Sequence, residues 1–113
     1  MNKKQLEKRI KFLKLLNGLS KKDKFLYIKD CPDRMIDVIC EACHNLLKLR
    51  SLKDQTKVRN KVRLIGNAFQ QLSSPEISIG IKRDLLKEEE IGSVVFALLS
   101  SIVLPALIKL KER

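Results

Sequence analysis

The chain has 113 residues, enough for one domain with a modest core, and only four Phe, one Tyr and no Trp contribute rings to it. Four glycines and three prolines are too few for a disordered low-complexity tail, and Leu, Ile and Val with frequent Lys and Glu suit helices that each bury one stripe. A net charge of +11 selects polyanionic partners, nucleic acid first and anionic membrane second.

The charge is uneven. Residues 1–30 hold ten Lys and Arg against three acids, and residues 54–72 hold four against one. Glu88, Glu89 and Glu90 make the stretch before residue 91 acidic.

In chain order, Leu6, Ile10, Leu13 and Leu16 recur at helical spacing while Lys4, Lys8, Lys11 and Lys14 take other faces. This predicts a basic amphipathic helix from Lys3 that Asn17-Gly18 stops. Ser20 with Asp23 resembles a capping box and opens a short helix carrying Phe25, Leu26 and Ile28. Pro32 and Asp33 suit the first turn of a third helix. Its stripe of Met35, Ile36, Ile39, Cys43, Leu46 and Leu47, ending near Lys48, makes it the candidate central helix. Arg50 to Lys53 reads as a link. Asp54 can cap a fourth helix with Val58, Val62, Ile65, Phe69 and Leu72 on one side, ended by Ser73-Ser74-Pro75. Ile77, Ile79 and Ile81 alternate like a strand. A lone strand has no partner, so a loop leading into a short helix around Lys82–Lys87 is preferred. Ile91 to Ile108 is an uncharged run of eighteen residues. At ~1.5 Å per residue it reaches about 27 Å, just short of a ~30 Å hydrocarbon core. Pro105 is expected to bend or end it, and Lys109, Lys111 and Arg113 follow. Val94, Val95, Phe96, Leu98, Leu99, Ile102, Val103 and Leu104 form a buried core helix, a membrane-active segment or an oligomerisation helix. The expected fold is all-α, a compact bundle of five or six short helices in one domain. Residues 1–30 make a basic helical arm, 31–90 the central helices and 91–113 the apolar C-terminal helix.

Cys40-Glu41-Ala42-Cys43-His44 spells a haem-attachment pattern, and Cys31 adds a fourth potential zinc ligand. Covalent haem attachment needs an oxidising, exported context, and residues 1–16 lack the uninterrupted apolar run of an export signal. No second pair of ligands completes a zinc knuckle. The helical phase puts Cys43 on the apolar stripe, so core thiols are expected, with no metal and no cofactor. An odd number of cysteines makes a reducing compartment, cytosol or nucleus, the default. One histidine, no phosphate-cradling glycine loop and no nucleophile elbow assemble no catalytic set, so no enzyme activity is expected.

The candidate phosphate-binding residues are Lys3, Lys4, Lys8, Arg9, Lys11, Lys14, Lys21, Lys22, Lys57, Arg59, Lys61 and Arg63. Lys predominates in the first segment, which favours point-charge attraction over bidentate reading of bases. Rings are not interleaved with these cations, so stacking on single strands is disfavoured.

A run of short motifs supplies a further expectation: Ile39-Cys40-Glu41, Asn45, Leu46-Leu47, a basic helix, Ile81-Lys82-Arg83-Asp84-Leu85-Leu86, then Gly92 before a Leu-rich tail with Pro105. Over residues 35–108 this pattern resembles small basic proteins of Maverick/polinton-type elements and adintoviruses. Those are similar in turn to the adenovirus protein X, or mu, core precursor. The resemblance implies a virion core component that condenses double-stranded DNA in the virion and host nucleus, with capsid proteins or further copies of itself as neighbours. Ile91-Gly92-Ser93 stands where a double glycine is usual, Pro105 is single, and the basic region is Lys-based and helical. Those departures favour a folded basic module over a protamine-like arm. The alternatives are a membrane-associated protein using the apolar C-terminal helix and a helical adaptor for another protein.

Overall fold

The computed structural model describes residues 2–46 and 52–112. Leu47, Lys48 and the first part of the Arg50–Lys53 link lie outside the described residues.

Asn2 starts α1 (Lys3–Gly18): its side chain accepts from the Gln5 N–H at 2.8 Å, and the Gln5 side chain returns a bond to the Asn2 N–H. This is a complete capping box. Leu6, Ile10, Leu13 and Leu16 are buried, as their spacing predicts. Ser20 caps α2 (Lys21–Asp30) by accepting from the Asp23 N–H, and α3 (Asp33–Leu46) follows directly after Pro32. Ile36, Ile39, Cys40, Cys43 and Leu46 of α3 are buried.

The expected fourth helix is two. α4 (Leu52–Val62) gives way to turns over residues 63–66, and α5 (Asn67–Ser73) resumes after Gly66, whose φ is +52°. The amide N–H groups of Arg63 and Gly66 donate back to the Arg59 and Val62 carbonyls, so the break leaves those donors satisfied. Asp54 is the third residue of α4 and not its cap. The Ile77–Ile81 alternation does not form a strand: Ile77 lies in a bend, while Ile79 and Ile81 are helical. Ser78 accepts from the Ile81 N–H and caps α6 (Ile79–Lys87), which begins three residues before the expected start.

Glu89–Lys111 is a single 23-residue helix, α7, making seven helices among the described residues. Pro105 neither ends it nor stops its hydrogen bonding. A π turn spans Leu99–Val103, in which the Leu104 N–H reaches back to the Leu99 carbonyl. A wider turn just before proline relieves the clash of its ring with the preceding carbonyls. Ser100 and Ser101 both donate to the Ala97 carbonyl there.

One core joins all these elements. The radius of gyration is 13.3 Å, matching the ~13 Å of a folded chain of this length. α7 runs through it. α1 lies along its Leu99–Lys111 half, α4 and α6 along its Glu89–Leu98 half, and α3 against the π turn. The amino-terminal basic segment is therefore part of the body and not a free arm. Arg83 on α6 ties α2 to α3: it donates to the Ile28 carbonyl at 2.8 Å and to Asp33 at 2.7 Å. Phe25 packs edge-on against Phe96 with centroids 5.5 Å apart, fastening α2 to α7.

Candidate nucleic-acid interface

The buried stripe of α1 fixes where its lysines stand. At 100° per residue, Lys4, Lys8 and Lys11 fall on the side opposite Leu6, Ile10 and Leu13, Lys14 falls at the edge of the buried stripe, and all four are exposed. Glu7 stands beside Lys14 at the edge, but none of the four has an ion-pair partner among the described residues. Lys3 is exposed at the start of the helix.

Two of the candidate cations are engaged within the protein. Arg9 is half-buried and pairs with Glu41 of α3 at 2.9 Å, joining α1 to α3. Lys21 pairs with Glu89 at the start of α7, which holds that carboxyl below its ordinary range through the hydrogen bond and the neighbouring charge. Lys22 is exposed.

Lys57, Arg59, Lys61 and Arg63 are exposed too, on α4 and the turn after it. They do not join the α1 lysines on one helix surface, because α1 and α4 lie along different halves of α7. What does join α1 is the end of α7. Leu13 lines one hollow with Leu16, Phe96 and Leu99, and another with Arg9, Ile102, Ala106 and Leu107. The two helices therefore run antiparallel, and the end of α7 that carries exposed Lys109 and Lys111 lies towards the start of α1. The sequence shows those two lysines only as flanks of an apolar run; the antiparallel pairing supplies the link.

Val94, Val95, Phe96, Leu98, Leu99, Ile102, Val103 and Leu104 are all buried in the protein. By length and composition α7 is sufficient to cross a membrane, yet half of its apolar stretch is inside the bundle. Pro105, Ala106 and Leu110 are exposed beyond it.

Cys31, Cys40 and Cys43 are free thiols and buried, and no group of three or more His, Cys, Asp or Glu is placed to hold a metal among the described residues. His44 is exposed, off the stripe occupied by Cys43, and lines a cleft together with Cys40. Burial pushes the Cys40 thiol up to about 11 and the Cys43 thiol still higher, so both stay protonated at neutral pH. Cys31 is raised by burial and lowered by its contact with Arg83. One cation that sequence reading places among ordinary helix residues, Lys82, is only 6% exposed.

Comparison with family models, with curated proteins and with solved structures finds no match for this chain.

Proposed function

We propose that this protein binds duplex DNA without reading its sequence, and that the outer face of α1 is its main contact. The observation that carries the reading is the row Lys4, Lys8 and Lys11, exposed, unpaired and held on one side of a capped helix by the buried stripe behind it, with exposed and unpaired Lys14 at its edge. Sixteen residues at ~1.5 Å each make a rod of about 24 Å. Duplex DNA carries a phosphate charge per ~1.7 Å of axis, so a rod of that length meets several phosphates in any sequence. Ammonium groups on flexible stems neutralise phosphate as point charges and need no fixed register. Binding then gains its free energy from released counterions. In a virion core, the setting the sequence resemblance implies, this would serve genome packaging.

The test is fluorescence anisotropy of a labelled random duplex across a salt series. If about seven phosphates are neutralised, log affinity falls against log salt with a slope of roughly −6. Replacing Lys4, Lys8, Lys11 and Lys14 with Ala keeps good helix formers and should flatten the slope by about 3.6. A slope unchanged by that variant would remove α1 from the interface, and no binding at low salt would end the DNA reading.

A second reading, association with an anionic membrane surface, is favoured by the exposed Pro105, Ala106 and Leu110 beside Lys109 and Lys111. Co-sedimentation with phosphatidylserine vesicles, lost on Leu110→Asp, would support it. No co-sedimentation at low salt would discard it.

A further inference from the structure

Away from the α1 face, a cleft of about 620 Å³ opens between α3, the segment after α5 and the start of α6. Lys82 lines it. The residue is 94% covered, being 6% exposed, and no side chain among the described residues forms a hydrogen bond or ion pair with it. Every fully enclosed side-chain nitrogen and oxygen of the described residues has a hydrogen-bond partner. The Lys82 ammonium has none, so it is not fully enclosed: the stem is packed and the tip faces the cleft. An ammonium in so confined a place is poorly solvated, and an anion is its natural partner.

A second feature converges on the same spot. Ser78 and Ile79, the cap and first residue of α6, also line the cleft. The first-turn N–H groups of a helix have no acceptor within it, and its dipole makes that end positive. Lys82 stands one turn inside that end. The Ser78 oxygen accepts from the Ile81 N–H, which leaves its O–H free to donate. Asp37, Glu41 and Glu76, all exposed, line the cleft as well; Glu41 is paired with Arg9, and the other two oppose any anion at the rim, so binding depends on the contacts at the start of α6.

We infer that the cleft at the start of α6 is a binding site for a compact oxyanion, a carboxylate or a phosphate, held by the Lys82 ammonium, the first-turn N–H groups of α6 and the Ser78 hydroxyl. This site is separate from the α1 face and does not depend on DNA binding.

The test is an amide NMR titration of the full chain with inorganic phosphate and, in a second arm, with acetate, at constant ionic strength held by sodium chloride. Saturating shifts confined to residues 78–82 are expected in at least one arm, and the arm that responds names the ligand class. Lys82→Met should weaken the affinity about tenfold or more, the usual loss for a charge-assisted hydrogen bond. Lys57→Ala with Lys61→Ala should leave it unchanged. Shifts that do not saturate and spread over the exposed lysines of α1 and α4 would overturn the site, as would none at residues 78–82. Both results are read on the unaltered chain, so the proposal stays testable if Lys82→Met fails to fold. If that variant folds and binds as before, the assignment of Lys82 is wrong.

Discussion

A Cβ on Gly92 would lie 2.5 Å from the Leu86 carbonyl oxygen and 2.6 Å from Cε1 of Phe25. The carbonyl belongs to the last turn of α6 and cannot swing aside. Gly92→Ala should therefore cost ~1–3 kcal/mol through overpacking, read as a lower urea midpoint at unchanged m-value. In the sequence Gly92 marks only the start of an apolar tail; the close approach of α6 and α2 that requires it is tertiary. Cys43 was legible, since helical phase alone places it on the core stripe. Its burial has a consequence in alkali. An unfolded thiol ionises near its ordinary value of 9.0, while Cys40 in the fold holds its proton to about 11 and Cys43 beyond that. The fold binds those protons more tightly, so its stability is fully present below pH 9 and declines as pH rises towards 11. Urea unfolding at pH 7, 9 and 10 should show that decline, and Cys43→Ala should make it shallower. An equal decline in the variant would trace the loss to other groups. Lys82 was not legible, because nothing in Ile81-Lys82-Arg83 distinguishes a covered lysine from a solvated one.

At the scale of elements, apolar periodicity located α1 and α3 because each buries a single stripe, and sequence punctuation located the cap of α2. The same periodicity misled between residues 54 and 73. Val58, Val62, Ile65, Phe69 and Leu72 keep one helical phase across the break, so the stripe reads as continuous although Gly66 interrupts the backbone. All five are fully or partly buried, which is why the phase persists through the turns. The signal that could have found the break is Gly66 itself, set between two segments of strong phase. Its φ of +52° strains any residue with a Cβ. Gly66→Ala should lower stability by ~1 kcal/mol or more, although no neighbour stands within 4 Å of the added carbon. If thermal unfolding showed no loss, the two helices would fuse without penalty. The alternation of Ile77, Ile79 and Ile81 was rightly set aside as a strand, and the helix expected near Lys82 begins at Ile79 because Ser78 supplies its cap.

For the whole molecule, a net charge of +11 stands against only four ion pairs among the described residues. Self-repulsion of that surplus opposes folding and is screened by salt. The melting temperature should therefore rise between low and moderate sodium chloride, and rise less in the Lys4, Lys8, Lys11 and Lys14 to Ala variant. A melting temperature independent of salt would show that the exposed lysines lie too far apart to repel. The excess of cations, and the helix that displays them, were legible in composition and periodicity. The partition was not. Arg9 and Lys21 serve internal pairs, α4 is set on the other half of α7, and the end of α7 joins α1, all consequences of packing that no local pattern encodes.

The π turn of α7 amounts, in genetic terms, to one codon carried as an insertion inside a helix. Each half of α7 answers to different neighbours, α4 and α6 for one and α1 for the other. The extra residue lets each half keep the phase its own neighbours require. A single-codon deletion at Ser101, an exposed position, would let the turn close to regular α-helix with both halves near their present phase. The chain would lose no buried side chain, and α1 would still meet the apolar face.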